Sequence, residues 1–381
     1  MPSEINKPIR ILHVLTAMNR AGTETMLMNL YRSLDRDKIQ FDFAVTTTEH
    51  CDYDDEIAAL GGKIIHYPRY TGKNHFSYKK WWNDFFGEHS EYRIIHGHIG
   101  STASIYLRIA KKYGRYTIAH SHSTGGKANF HDFIYQIYSH STRYIADYFI
   151  GCSTEALISR YGSSIAADHA KSIVLNNGID VDKYRYSEQI RDEVLSELGL
   201  EKNTFIVGTV GRFTEAKNPL FIVDILARLK EKEPDFIFLW AGAGELKEQV
   251  EKYIAEKNLQ DKVLLLGVRD DIPRILQMLN VFVLPSKFEG LPVIGVEVQA
   301  AGVPMLCSDK VSPEVNISKC VTFLSIESTE PWVEGILKER MFRRVENAPD
   351  DVIMAGYDIK ATSKWLMEFY ESKCMTGGGS C

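Results

Sequence analysis

Short apolar runs alternate with amphipathic stretches of helical period along almost the whole chain. Ile9–Thr16 reads as a buried strand. Thr23–Leu34 follows as a helix, with Met26, Leu27, Leu30 and Leu34 on one face. The same rhythm predicts strands Phe41–Thr46, Lys63–Tyr67, Ile94–His98, Tyr116–His120, Tyr148–Cys152 and Ser172–Leu175. Between them it predicts helices Asp54–Leu60, Thr102–Tyr113 and Thr154–Tyr161, and a helical stretch around Phe130–Tyr144. A second series begins at Phe205–Val210 and continues with strands Phe236–Ala241, Val263–Leu266, Val281–Pro285 and Met305–Cys307. Helices Pro219–Lys230, Glu245–Glu256, Ile272–Met278 and Pro292–Ala301 separate these. Continuous apolar strands alternating with helices predict parallel sheets covered on both faces, so two series predict two doubly wound α/β domains. A polar, charge-rich stretch between Asn177 and Thr204 parts them, and Asp358–Ser372 predicts a last helix. The expected division is 1–183, 184–356 and a terminal helix over 357–375. Residues 376–381 read as a flexible tail or an expression remnant.

Composition narrows the classes. A chain of 381 residues, 44% hydrophobic and 25% charged, easily builds two cores, which excludes disorder as its main state. A net charge of -5 argues against a nucleic-acid binder. Residues 1–183 carry a net charge of +2 and all twelve histidines, and the remainder carries -7, which suggests two domains with different ligands. Cys51, Cys152, Cys307, Cys320, Cys374 and Cys381 form no C-x-x-C pair and fit neither a zinc site nor a disulfide framework. They read as idle thiols of a reducing compartment. The first residues have no apolar signal core, and no run of about 18 apolar residues exists, so no membrane-spanning helix is expected.

In open parallel sheets, ligands sit beyond the carboxyl ends of the strands, where helix N-termini offer free N–H groups to phosphates. Four strand-to-helix junctions stand there. Ala17–Glu24 holds Gly22 but no G-x-G-x-x-G, which disfavours a nicotinamide dehydrogenase. Gly208–Pro219 places Arg212 and Lys217 just before a helix, as a diphosphate clamp requires. Gly242-Ala243-Gly244 reads as a structural turn. In Leu284–Glu297 a tight Gly/Pro loop carries Glu289, and Glu297 sits two turns into an otherwise apolar, small-residue helix. A carboxylate there is costly to bury unless something binds it, and paired hydroxyls of a polyol satisfy both acids.

Taken together these residues resemble the retaining glycosyltransferases of family 4, in their bacterial exopolysaccharide and capsular-polysaccharide branch, from Ile9 to about Tyr370. The carriers are Arg20–Glu24, His120-Ser121-His122-Ser123, Asn176–Asp180, Gly211-Arg212, Lys217-Asn218-Pro219 and Glu289 with Glu297. The resemblance implies the GT-B fold, two Rossmann-like doubly wound domains facing across a cleft, with the terminal helix returning to the first. It implies that Arg212 and Lys217 hold the donor diphosphate, that Glu297 binds ribose and that Glu289 binds the donor sugar. Backbone N–H groups of Gly290 and Leu291 would meet phosphate or sugar, and Val268 the base. Gly22 would approach the donor from the facing domain, and His120 would lie near donor sugar and acceptor. Ala21 stands where the family usually has glycine, which puts the geometry of that loop in question.

The implied reaction moves a sugar from a nucleotide-diphosphate donor, a UDP-sugar, to a glycan or lipid-linked acceptor with retention, by same-face attack. The implied setting is the cytoplasm, at the inner face of the cytoplasmic membrane. No metal and no cofactor is expected: Asp35-Arg36-Asp37 is a charged helix exit, and Asp180-Val181-Asp182 lies in a linker. Tyr78, Trp81, Trp82, Phe85 and Phe86 share one helical face beside Lys79 and Lys80, with two readings: a helix docked on anionic lipid, or a buried core face. The competing functions are a GT-B nucleotide-sugar epimerase, a GT-B phosphorylase, for which the chain is short, and an inactive nucleotide-sugar-binding assembly subunit.

Overall fold

The computed structural model describes residues 7–122 and 140–376. Most of the stretch around Phe130–Tyr144, Ser123 and the final residues lie outside them. The chain forms two compact units, Met1–Gly178 with Ile359–Cys381, and Ile179–Asp358.

The first unit is a seven-stranded parallel sheet of order β3-β2-β1-β4-β5-β6-β7. Its strands are β1 (Ile9–Val14), β2 (Ile39–Val45), β3 (Ile64–His66), β4 (Ile94–Gly97), β5 (Tyr116–Ser121), β6 (Tyr148–Gly151) and β7 (Ser172–Val174). Helices α1 (Gly22–Ser33), α2 (Asp54–Ala59), α3 (His75–Glu88), α4 (Ala103–Lys112), α5 (Thr154–Tyr161) and α6 (Ser163–Ala166) connect them. The second unit is a six-stranded parallel sheet of order β10-β9-β8-β11-β12-β13. Its strands are β8 (Phe205–Val210), β9 (Phe236–Ala241), β10 (Val263–Gly267), β11 (Val281–Leu284), β12 (Met305–Ser308) and β13 (Val321–Leu324). Its helices are α7 (Glu188–Glu197), α8 (Pro219–Lys232), α9 (Lys247–Glu256), α10 (Ile272–Leu276), α11 (Val293–Ala300), α12 (Glu330–Lys338) and α13 (Ala348–Met354). The last helix, α14 (Ile359–Thr376), belongs to the first unit. Each sheet reverses its winding once, between β1 and β4 and between β8 and β11, which are the switch points where such folds bind ligands.

Alternation along the strands sorts the first unit's core into two layers. Ile11, Ile94, Ile118 and Ile150 face α1 and α14, and pack with Leu27, Leu366 and Tyr370. Leu12, Val14, Ile95 and Ala119 face the other way, onto α3 and α4. Tyr78, Trp82, Phe85 and Phe86 of α3 are buried in that second layer with Tyr67 and Tyr106. The aromatic face is therefore core, and of its expected lipid-docking residues none but Trp81 keeps more than slight exposure. Lys80 is engaged by Asp84 one turn on, at 2.6 Å.

The division falls at residue 178, ahead of the expected 183. Ile179 N–H donates to Tyr357 O at 2.8 Å, and Val181 is fully buried in the second unit's core, so these residues join that unit. The stretch expected as a linker contains α7, whose Val194 and Leu195 are buried in the same core. Cys51, Cys307 and Cys320 carry free thiols. No helix of the described residues is long and apolar enough to cross a membrane.

Candidate active site

In the second unit the expected donor residues other than Val268 lie in the loops after β8 and β11 and in the helix that follows β11. The chain leaves β8 through Gly211-Arg212, forms a 3-10 turn at Glu215–Lys217 and enters α8 through Asn218 in the left-handed conformation (φ 54°), with Pro219 at the first helical position. Asparagine tolerates that conformation, and proline suits the helix start because its missing N–H has no partner there anyway. The loop after β11 runs alongside. Lys287 N–H donates to Ala216 O at 2.8 Å, Lys287 pairs with Glu215, and Lys217 pairs with Glu289. The outer pair is exposed, while the Lys217 and Glu289 side chains keep only 26% and 14% of their exposure. Ser286, fully buried, donates its hydroxyl to the same Glu289 oxygen at 2.9 Å. Burial, with Glu289 nearby, pushes the Cys307 thiol beneath up to about 12, so it stays protonated. Arg212 is exposed, and no hydrogen bond or ion pair holds its side chain among the described residues.

Gly290 is exposed with open space where a side chain would stand, and Leu291 is half-buried just before α11. Two turns into α11, Glu297 accepts a hydrogen bond from Tyr184 Oη at 2.7 Å. Burial raises the Glu297 carboxyl above the usual range, and the tyrosine bond opposes this. The sequence marks Glu297 as a costly carboxylate; it does not show that a protein hydroxyl already meets one of its oxygens. Tyr184 lies in the polar stretch, where its only signal is an aromatic residue among charges. Val268 follows β10 and is 72% exposed at the strand's carboxyl end. The Gly242–Gly244 turn is structural, as expected: a Cβ on Gly242 would sit 2.0 Å from Gly211 O, and one on Gly244 2.6 Å from Phe213 N.

In the first unit Gly22 opens α1, again with nothing near its Cβ position. Ala21 has φ -125° and ψ 174°, extended backbone that alanine adopts freely, so its replacement of glycine needs no rearrangement here. The loop is pinned by Arg20 N–H donating to Asp52 Oδ2 at 2.9 Å.

His120, at the end of β5, is 3% exposed and does not stand alone. Period-two alternation puts His13, His96, His98, His120 and His122 on one face of β1, β4 and β5 and just beyond, with His13 directly opposite His96. Two hydrogen-bonded chains result. His13 Nδ1 lies 3.0 Å from His98 Nε2, and His98 Nδ1 lies 2.8 Å from His122 Nε2. Tyr370 Oη of α14 lies 2.7 Å from His96 Nδ1, and His96 Nε2 lies 3.2 Å from His120 Nδ1. Burial holds all five imidazoles neutral, His13 at about 3 and His122 at about 4, with the other three well below the ordinary histidine value. Of the five, the sequence assigns a site role to His120 alone; H-x-H at 96–98 and again at 120–122, a spacing that keeps both on one strand face, is the signal for the rest.

The histidines also form the groups whose atoms could surround a metal ion, His13-His96-His98 and His98-His120-His122, each within 4.8 Å. Among the described residues the D-x-D acids make no such group: Asp35 pairs with Lys38, Asp180 with Lys183 and Asp182 with Arg185.

Two doubly wound units with these strand-end loops have the architecture of GT-B glycosyltransferases, and comparison bears this out. The family model "Glycosyl transferases group 1" matches residues 190–336. The putative glycosyltransferase EpsF of Bacillus subtilis (strain 168) is 32% identical over 374 residues, 95% of this chain and 96% of that protein. The chain belongs to the group 1 glycosyltransferase family. It is also similar to the UDP-Gal:alpha-D-GlcNAc-diphosphoundecaprenol alpha-1,3-galactosyltransferase of Escherichia coli, 38% identical over 145 residues, 37% of this chain and 38% of that one. The crystal structure of Anabaena HepE in complex with UDP superposes with a TM-score of 0.77 over 95% of this chain and 100% of that chain, at 16% identity, a likeness of fold.

Proposed function

We propose that the protein transfers a hexose from a UDP-sugar to a lipid-linked or glycan acceptor in surface-polysaccharide assembly, with retention of anomeric configuration. The observation that carries this reading is the meeting of Lys217 and Glu289 at the ends of β8 and β11, with Arg212 unengaged beside them. Breaking a sugar–diphosphate bond builds negative charge on the leaving phosphate and positive charge on the anomeric carbon. Arg212 and Lys217 meet the first, and the free N–H groups before α11, at Gly290 and Leu291, add to them. When the diphosphate takes Lys217, Glu289 is released to accept hydrogen bonds from sugar hydroxyls. Glu297 keeps an oxygen for ribose while Tyr184 holds the other. Val268 offers an apolar surface to the base, and Gly22 and His120 serve from the first unit.

The reading assigns charge neutralisation to side chains and includes no metal or cofactor. The lipid-diphosphate acceptor named for the Escherichia coli relative supports a lipid-linked acceptor and work at the inner face of the cytoplasmic membrane. The test is product analysis with UDP-sugars, with and without a polyprenyl-diphosphate-linked saccharide, in chelator and in added Mg²⁺. Acceptor-dependent glycosidic product of retained configuration supports the reading. UDP released with no glycosidic product, or an absolute metal requirement, overturns it.

A further inference from the structure

His120 is the end of a hydrogen-bonded chain, and the chain decides which of its nitrogens carries the proton. Tyr370 Oη has one polar neighbour among the described residues, His96 Nδ1, in a fully buried position. If the phenol donates, His96 carries its proton on Nε2 and donates it in a hydrogen bond to His120 Nδ1, so His120 carries its own proton on Nε2. One buried group is then unsatisfied, the His120 Nε2–H, and this nitrogen indeed has no partner among the described residues. If the chain ran the other way, the Tyr370 proton and the His120 Nε2 lone pair would both be orphaned. Buried polar groups are rarely left unpaired, so the first direction wins, and a phenol is also a better donor to imidazole than the reverse.

We propose that Tyr370 and His96 are positioning residues that hold His120 as its Nε2–H tautomer, so that His120 meets its ligand as a hydrogen-bond donor and not as a base. The buried, unpaired Nε2–H lies at the carboxyl end of β5, the end of the sheet where ligands bind, and calls for an acceptor oxygen. The chemistry fits a sugar or phosphate oxygen; that identity rests on the proposed transferase reading, while the tautomer does not. The alternative use of the cluster, a metal site, fits the distances less well. Two imidazoles on one tetrahedral zinc place their nitrogens about 3.3 Å apart. Here the contacts of 2.8, 3.0 and 3.2 Å are those of N–H···N bonds, and the bonded rings lie within 23° to 28° of coplanar.

Long-range ¹H–¹⁵N NMR of the full chain, labelled on histidine, reads the tautomer without any substrate, and His120→Gln assigns the signal. The expected result is a proton on His120 Nε2 in the wild type and a mixture of tautomers in Tyr370→Phe, which keeps the ring and the packing. A proton on Nδ1 in the wild type, or no change in Tyr370→Phe, overturns the proposal. Titration with ZnCl₂ that shifts all five histidines together at one equivalent also overturns it, in favour of a metal site. In steady-state transfer, Tyr370→Phe should lower kcat about fivefold, the worth of one neutral hydrogen bond, with the donor KM unchanged. In His120→Gln, whose amide donates without a relay, the further change Tyr370→Phe should do nothing; independent, additive losses count against the relay. A wild type without transferase activity sinks the proposed function and leaves the NMR result standing.

Discussion

The two units share one construction and finish their strand ends with opposite chemistry. On β1, β4 and β5 and just beyond them stand five imidazoles, all neutral and bonded to one another or to Tyr370. Beyond β8 and β11 stand Lys217, Glu289, Lys287 and Glu215, all charged and paired across two loops. Burying an array without net charge avoids the desolvation of ions, but it makes the array depend on proton positions. The charged loops lie nearer the solvent and keep formal charge for a charged ligand. The difference teaches that one fold can offer directed neutral hydrogen bonds from one unit and field from the other.

The largest expected effect belongs to the charged side. Lys217→Ala should lower kcat by about 10²–10³ and abolish stabilisation by UDP in a thermal-shift assay. A variant with wild-type UDP stabilisation would remove Lys217 from the donor site. The next belongs to the imidazoles. Their folded values lie below the unfolded value of about 6.5, so the unfolded chain binds protons first as pH falls. Stability is whole above that value, and each buried histidine removes about 1.4 kcal/mol per pH unit below it, down to its own folded value. Hydrogen exchange should show the first unit opening at a higher pH than the second, which has no histidine; simultaneous opening would erase the contrast.

A smaller effect is expected at Glu297. Tyr184→Phe should destabilise the protein by about 1 kcal/mol in urea and weaken UDP binding, because a half-buried carboxylate oxygen loses its donor. Unchanged affinity would mean that the tyrosine serves the fold alone. The smallest belongs to the outer ion pair. Glu215→Gln should change stability by no more than about 0.5 kcal/mol and leave kcat unchanged, since exposed pairs contribute little. A large loss there would show the two pairs acting as one unit.

The fold was legible where both faces of a strand are buried. Phe205–Val210 and Phe236–Ala241 were read to the residue because both faces of those strands are covered. The edge strand Val321–Leu324 escaped notice because its side chains are half-exposed and its apolar run is short. Helices Glu188–Glu197 and Ala348–Met354 hid in charged sequence, where few buried positions mark the period. Among the site residues, Lys217 and Glu289 were each visible from their loops, yet their pairing depends on β8 lying beside β11, which only sheet order supplies. The histidine chains depend in the same way on β4 lying between β1 and β5.

The return of α14 to the first sheet has a consequence for the order of synthesis. Ile359, Leu366, Tyr370 and Cys374 are core residues of a unit whose sheet is encoded first. That core cannot close until these residues of α14 have left the ribosome. At about 5–20 residues per second, the intervening unit takes roughly ten to forty seconds to emerge. The second unit, Ile179–Asp358, is continuous and can fold as soon as it is free. The usual order is thus inverted: the unit whose sheet is made first is completed after the second, and His96 waits for its tyrosine until Ile179–Asp358 has been made.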